Sequence, residues 1–171
     1  IVLDKHEIDG AGPERAVVFQ APSLFPWMTA KENVTLYFDR VFPHATAKER
    51  NEIVEYYLNR VGLGDALNKK AVELSNGMKQ RVGIAQAILH SPPVIILDEP
   101  TVGLDPIQIL EIRKLIKELG RSHGIILCTH ILPEVQAVCN RVQIINQGRI
   151  VHEAQLGTHQ PDKIFFDVQL C

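Results

Sequence analysis

The sequence predicts an α/β fold with a mainly parallel sheet flanked by helices, and two observations predict it. The apolar runs VIIL at 94–97 and GIIL at 124–127 are typical of strands covered on both faces. Between them, an amphipathic helical pattern begins at Asp105 and Pro106 and ends at Gly120. A strand, a helix and a strand in this order form a βαβ unit, so the two strands should run parallel.

Local patterns predict the elements that precede this unit. AVVF at 16–19 is a short apolar strand, and Thr29 with Glu32 three residues later is a capping box that begins a helix. Segment 47–61 has its apolar residues on one helical face, and Gly62 ends that helix. We therefore expect one strand and then two helices ahead of the βαβ unit.

Three segments complete the prediction. A third helix follows LSNG at 74–77 and runs to about His90, with apolar residues at three- and four-residue steps. The segment 141–152 is predicted to be a hairpin that turns at 146–148. The tail from Gly157 carries no clear pattern.

Composition limits the classes of function. The chain has 171 residues, enough for one domain with a sizeable core, and its net charge of −2 argues against nucleic acid as a partner. Its 3 cysteines fit neither a disulfide framework nor a zinc site, so we expect a reducing compartment. No apolar run approaches the roughly 18 residues of a membrane span.

Polar side chains follow three predicted strands. Asp98 and Glu99 follow VIIL, His130 follows GIILCT, and Gln20 follows AVVF. In parallel sheets, ligands bind beyond the carboxyl ends of the strands, so we expect these side chains to form a site.

Their chemistry suits hydrolysis of a nucleoside triphosphate. An Asp at a strand end can hold Mg²⁺, usually through water, and a neighbouring Glu can orient or deprotonate an attacking water. A His can contact a γ-phosphate, and a Gln can reach metal or water. The alternative for Asp98 and Glu99 is a solvated acidic turn, which the pair alone does not exclude.

The start of the third helix has two interpretations. Ser75, Asn76 and Gly77 are poor helix formers, and Ser or Asn commonly caps a helix through its side-chain oxygen. A helix N-terminus also suits phosphate, because its N–H groups are unpaired and the helix dipole is positive there. The stretch alone leaves both interpretations open.

Five motifs together resemble the ATP-binding domain of ABC transporters, in their order and their spacing. They resemble the Q-loop, the LSGGQ signature, the Walker B strand, the D-loop and the switch-histidine loop, and here they read VFQ (18–20), LSNGMKQ (74–80), VIILDE (94–99), GLD (103–105) and THI (129–131). The resemblance covers nearly the whole chain and implies a P-loop NTPase-like ABC ATPase fold with a helical subdomain.

The resemblance implies a role for each motif. Glu99 and His130 would be catalytic, and Asp98 with Gln20 would hold Mg²⁺. The residues that would contact ATP are Gln20, Ser75, Asn76, Gly77, Met78 and Asp105. In this family the signature faces the γ-phosphate of ATP on a partner subunit, so capping and anion binding are one feature. Asn76 stands here for the first signature glycine and Met78 for the usual Gln.

The resemblance also implies an architecture and partners. Residues 1–20 and 73–156 would form the ATPase core, 21–72 a helical subdomain that contacts the permease, and 157–171 a C-terminal tail. The partners would be transmembrane permease subunits and a second ATP-binding subunit, in a homo- or heterodimer at the cytoplasmic face of the membrane. In SLFPWM at 23–28, the apolar side chains either pack inward or form a groove for the permease.

One motif of the family is absent from the sequence, namely the P-loop G-x-x-x-x-G-K-S/T that cradles phosphates. We therefore expect an N-terminally truncated piece of an ATP-hydrolysing transport subunit that lacks a central strand and helix and is inactive alone. The alternative is a non-catalytic ABC-like module that lends its signature face to another subunit. A DNA-repair ATPase is a weaker third possibility, since 21–72 is too short for the coiled coil of that class.

The resemblance differs between the two parts of the chain. The front, from Gly12 to GMKQRV at 77–82, is similar to importer ATPases of the nitrate, sulfonate and taurine type. The rear, from Asp98 to THILPEV at 129–135, is closer to ATPases of export-type permeases. Import of a nitrate- or sulfonate-type anion is the transport function that the front suggests.

Overall fold

The computed structural model of the chain describes residues 2–3, 6–7, 12, 14–156 and 164–170, with the first two segments and the last described as backbone only. Five α-helices occur in these residues, namely α1 Ala30–Val41, α2 Ala47–Arg60, α3 Asn76–Ile88, α4 Pro106–Leu119 and α5 Leu132–Val138. The strands are β1 Val2–Leu3, β2 His6–Glu7, β3 Arg15–Val18, β4 Val94–Asp98, β5 Gly124–Cys128, β6 Arg141–Asn146, β7 Arg149–Gln155 and β8 Ile164–Leu170. Short 3₁₀ turns cover Gly64–Ala66 and Ala71–Glu73.

The main sheet has six strands in the order β3-β4-β5-β8-β6-β7. The pairs from β3 to β6 are parallel, and only β6 with β7 is antiparallel. Strands β1 and β2 form a separate antiparallel pair. The predicted α/β class and the parallel pairing of β4 with β5 across helix α4 are confirmed.

Helix and turn boundaries follow the predicted signals closely. Thr29 and Glu32 form the capping box of α1, and Asp105 caps α4 with Pro106 in its first turn. Gly62 follows α2 with a φ of +75°, a conformation that glycine adopts without a Cβ penalty. A second capping box, Thr46 with Glu49 at the start of α2, is an additional feature that the sequence analysis did not use.

Burial in the central strands differs from the prediction of strands covered on both faces. In β4, Ile95 and Leu97 are fully buried, whereas Val94 and Ile96 are only partly buried. The same alternation holds in β5. The buried face belongs to one hydrophobic cluster to which α3, α4 and α5 contribute, and the residues of the opposite face are partly buried. The two strands are therefore fully covered on one face and partly covered on the other.

The tail contains a strand that no sequence pattern predicted. Strand β8 lies between β5 and β6 and is parallel to both, with Ile126 opposite Phe165 and Ile144 opposite Val168. Residues 164–170 thus occupy an interior position of the sheet, in a chain that was expected to lack a central strand.

The predicted helical subdomain at 21–72 contains α1 and α2. Its buried residues, among them Val34, Phe38 and Leu58, belong to the same hydrophobic cluster as strand β4. The subdomain boundaries, like those of the core, stay predictions. No helix in the described ranges is long and apolar enough to cross a bilayer.

The thiol of Cys139 is expected to be unreactive toward alkylating reagents until the protein unfolds. Its side chain is 1% exposed, and burial raises the pKa of its thiol from the ordinary 9.0 to about 12, with the charge of Glu134 adding to the shift. At pH 8 the thiolate is therefore scarce and shielded. Alkylation with iodoacetamide, followed by peptide mass spectrometry, should label Cys139 in urea but not in buffer.

The same shift predicts a dependence of stability on pH. The unfolded thiol releases its proton above pH 9, and the folded one only near 12, so ionisation favours the unfolded state between these values. The free energy of unfolding should therefore fall over this range. Cys139→Ala is the control, and an equal fall in that variant would contradict the assignment.

Candidate functional site

Four of the predicted site residues lie at the carboxyl ends of three neighbouring parallel strands. Val18, Leu97 and Leu127 are paired across β3, β4 and β5, so these three strands end at the same level. Asp98 lies at the end of β4, and Gln20, Glu99 and His130 lie one or two residues beyond the strand ends; we call this group of four the strand-edge site. The register supports the expectation that these residues come together.

Glu99 is held by contacts with two residues of the loop after β5. Its Oε1 is 2.6 Å from Nδ1 of His130 and accepts the backbone N–H of the same residue at 3.2 Å. Its Oε2 accepts the hydroxyl of Thr129 at 3.1 Å. An ionised carboxylate only accepts, so the ring contact needs a proton on Nδ1 of His130. The carboxylate is thus held in one orientation beside an imidazole.

Thr129 is a site residue that the sequence analysis missed. It is buried, donates to Glu99, and accepts the backbone N–H of Ile131 at 3.1 Å. The sequence signal was present, because Thr129 immediately precedes His130. A hydroxyl that donates on one side and accepts on the other fixes the loop that carries the histidine.

The backbone of Glu99 has an unusual conformation. Its φ is +45°, which non-glycine residues rarely adopt. The N–H of Glu99 donates to the carbonyl of Cys128 at 2.8 Å, and the carbonyl of Glu99 accepts from Val102 at 3.2 Å. These two bonds hold a strained conformation, of a kind that clusters at functional sites.

Asp98 and Gln20 are the predicted metal-binding residues. Asp98 is the last residue of β4, is half-buried, and takes part in no ion pair found among the described residues. Gln20 is exposed, and its backbone carbonyl accepts from Nε2 of the buried Gln80 at 2.7 Å. No cluster of three or more His, Cys, Asp or Glu suited to a metal occurs in those residues. One carboxylate with an amide fits Mg²⁺ bound together with substrate phosphates, and does not fit an all-protein cage.

The signature segment forms the start of α3. Ser75 is the N-cap, and its Oγ accepts the N–H of Met78 at 3.2 Å. Gln108 donates to the same Oγ at 3.4 Å. A Cβ at Gly77 would lie 2.9 Å from Oε1 of Gln108, so this position needs glycine unless Gln108 moves. The capping interpretation is confirmed, and the anion-binding interpretation stays a prediction.

Asn76, at the start of α3, lies close to the loop that Asp105 ends. Asp105 accepts the N–H groups of Ile107 and Gln108 at 3.0 and 2.9 Å, which makes it the cap of α4. Nδ2 of Asn76 lies 4.0 Å from the position of a Cβ on Gly103. A role of Asn76, Met78 or Asp105 toward a nucleotide stays a prediction.

The segment SLFPWM displays part of its apolar surface. Phe25 and Trp27 are exposed with ring centroids 5.4 Å apart, whereas Leu24 packs against the core. Asn33 holds this loop, accepting the N–H of Phe25 at 2.8 Å and donating to the carbonyls of Phe25, Met28 and Thr29. The buried Asn33 was not among the predicted residues, and a single buried amide leaves no periodic signal.

Comparisons with known proteins agree with the motifs. The family model for ABC transporters matches residues 1–102. The nitrate transport protein NasD of Klebsiella oxytoca is 42% identical over 151 residues, which are 86% of this chain and 58% of that protein. The bicarbonate transport ATP-binding protein CmpD of Synechococcus elongatus is 40% identical over 158 residues, which are 91% of this chain and 57% of that protein.

A solved structure provides a third comparison. The ATP-binding cassette MJ0796, solved as a dimer in a post-hydrolysis state bound to ADP and Pi, has a TM-score of 0.73 and 30% identity, over 84% of this chain and 63% of that one. The chain thus spans less than two thirds of these three proteins. Its sequence match, its parallel sheet and its five motifs lead to one conclusion: the chain belongs to the ABC transporter family.

Proposed function

We propose that this chain is part of the ATP-binding subunit of an ABC importer, in which ATP hydrolysis drives transport of a small anion. The observation that carries the proposal is the strand-edge site, where a carboxylate held by three hydrogen bonds lies beside an imidazole. The names of the relatives, which refer to nitrate and bicarbonate transport, support an inorganic anion as the substrate.

In the proposed reaction, Glu99 orients the attacking water and accepts its proton, and His130 contacts the γ-phosphate. Asp98 and Gln20 would hold Mg²⁺, which neutralises charge on the phosphates. Glu99 now has Oε1 engaged by His130, so the pair has to separate before that oxygen can accept a proton from water. We propose that nucleotide binding causes this separation, because both residues then gain other partners.

The signature segment would act on a second subunit. Ser75 and Gly77 begin α3, whose N-terminus suits a phosphate group, and Asn76 is exposed beside them. The dimeric state of MJ0796 supports an arrangement with two ATP-binding subunits. Phe25 and Trp27, the latter 66% exposed, would contact the permease at the cytoplasmic face of the membrane.

The first test concerns nucleotide binding. The 171-residue chain is expected to bind Mg-ATP very weakly, since its sequence has no P-loop to supply the phosphate contacts. Joining it behind a P-loop segment taken from a relative, a protein that we call the P-loop fusion, should produce binding and hydrolysis. Isothermal titration calorimetry and phosphate release measure the two properties.

The control is a P-loop fusion in which the lysine of the added motif is replaced by alanine. It should bind weakly and release no phosphate. Tight binding of ATP by the 171-residue chain alone would contradict the assignment of phosphate contacts to the P-loop. A P-loop fusion that binds ATP without hydrolysing it would favour the alternative, a non-catalytic ABC-like module.

A further inference from the structure

A second polar contact lies beneath the strand-edge site. Thr101, 3% exposed, donates its hydroxyl to Oε1 of Glu134, which is 2% exposed. Oε2 of Glu134 is also buried and has no hydrogen-bond partner within the part of the chain that the structure describes. Neither residue was among the predicted site residues, and neither takes part in the reaction proposed above.

This contact joins the two segments that carry the catalytic pair. Thr101 lies two residues after Glu99, in a turn closed by hydrogen bonds from Val102 to Glu99 and from Leu104 to Thr101. Glu134 lies four residues after His130, in the first turn of α5. The Glu99–His130 contact therefore has a buried counterpart between the same two segments.

Helix α5 begins without a side-chain cap among the described residues. Its N-cap is Ile131, which provides no side-chain hydrogen bond. The N–H of Ile131 is used by Thr129, and the N–H of Glu134 donates to the carbonyl of Ile131 at 2.9 Å. The bond from Thr101 to Glu134 thus links the first turn of α5 directly to the turn after Glu99.

Stability alone is a poor explanation for this contact. A buried carboxylate with one oxygen unpaired is costly, and a buried polar pair can often be replaced by apolar residues without loss of stability. Removing only one partner is more harmful, since it leaves the other buried without its bond. A buried polar pair of this kind is suited to specifying one relative position of two segments.

We propose that Thr101 and Glu134 are positioning residues that set His130 against Glu99. This inference rests on the proposed function for its catalytic consequence, and on the described contacts for its geometry. Neither residue touches substrate. They act by keeping the turn after Glu99 and the start of α5 in one register, so that the carboxylate and the imidazole meet.

The double variant Thr101→Val/Glu134→Leu removes both polar groups together and avoids an unpaired buried charge. In the 171-residue chain, hydrogen exchange of the backbone amides of Val102 and His130 is expected to rise by about ten-fold or more relative to the amide of Phe25, a distant reference. Thr101→Ser keeps the hydroxyl and should leave exchange unchanged. Thr35→Val, which removes a hydroxyl bonded within α1, is the matched control.

If Thr101 and Glu134 do not position these segments, the exchange rates of the Val102 and His130 amides should change no more than that of the Phe25 amide. That result would overturn the proposal. If the double variant does not fold, two other variants replace it, namely Thr101→Val alone and Thr101→Val combined with Glu134→Gln. Their exchange rates at Val102 and His130, relative to Phe25, are compared with those of Thr101→Ser. Relative rates equal to those of the parent likewise overturn the proposal.

The catalytic consequence is measured in the P-loop fusion. The double variant should lower kcat by about ten- to a hundred-fold, the scale for a misplaced catalytic group, and change KM for ATP by less than about two-fold. Thr101→Ser, which keeps the hydroxyl, should have the kcat of the parent. An unchanged kcat overturns the positioning role. If the unmutated P-loop fusion releases no phosphate, the proposed function fails, while the exchange measurement still decides whether the bond sets His130 against Glu99.

Discussion

In the P-loop fusion, Glu99→Gln is expected to lower the rate of ATP hydrolysis by roughly a hundred- to ten-thousand-fold, the usual worth of a general base. Glutamine keeps the size of the side chain and one acceptor oxygen, so Thr129 can still hold it, but it cannot take a proton from water. ATP should still bind. Phosphate release measures the rate, and size-exclusion chromatography should show an ATP-bound dimer, because in the proposed cycle two ATP-bound subunits would separate only after hydrolysis.

Two neighbouring substitutions separate the roles within the strand-edge site. Asp98→Asn should weaken ATP binding and its Mg²⁺ dependence together, because it removes the proposed metal ligand. His130→Ala should resemble Glu99→Gln in rate without affecting the metal. If Glu99→Gln hydrolysed ATP at the parental rate while Asp98→Asn did not, Glu99 would be a solvated residue after a strand and the division of roles would be wrong.

Phe38→Ala is expected to give the largest loss of stability among the substitutions considered. The Phe38 side chain is fully buried in the cluster shared by α1 and the sheet, and its ring centroid lies 4.9 Å from that of Phe42. Removing a buried phenyl ring costs about 3–5 kcal/mol, against a total of about 5–15 kcal/mol for a domain. Urea unfolding followed by circular dichroism measures the change.

Leu36→Ala is the matched control, because Leu36 lies on the same helix and is 47% exposed. It should cost less than about 1 kcal/mol. A similar small effect of Phe38→Ala would mean that α1 is not packed on the core. Two separate transitions, with only the first shifted by Phe38→Ala, would support residues 21–72 as a subdomain that unfolds independently.

Features encoded by neighbours in the chain were predictable. The capping box at Thr29, the cap at Asp105 and the parallel βαβ unit all depend on residues a few positions apart, and the structure has each of them. The position of the strand-edge site was predictable from the same parallel pairing, because polar residues that follow parallel strands lie at the same end of the sheet. Family membership followed from the order and spacing of five motifs.

Features that depend on distant residues were not predictable. Nothing in VIIL indicates that only one of its faces is fully covered, since this depends on which helices pack there. Strand β8 pairs with β5 and β6 through backbone bonds, which leave little trace in its side chains. The bond between Thr101 and Glu134 joins residues 33 positions apart, and a threonine and a glutamate are each ordinary surface residues by composition.

The left-handed backbone of Glu99 has a consequence for protein engineering. At a φ of +45° the backbone of a glycine is less strained than that of a glutamate, and relief of such strain is worth of order 1–3 kcal/mol. A library selected only for resistance to heat or proteolysis would therefore enrich glycine at position 99 and discard the carboxylate with it. In the P-loop fusion, stability and the proposed turnover would oppose each other at this residue, so a directed-evolution campaign on that protein has to screen both properties in every round.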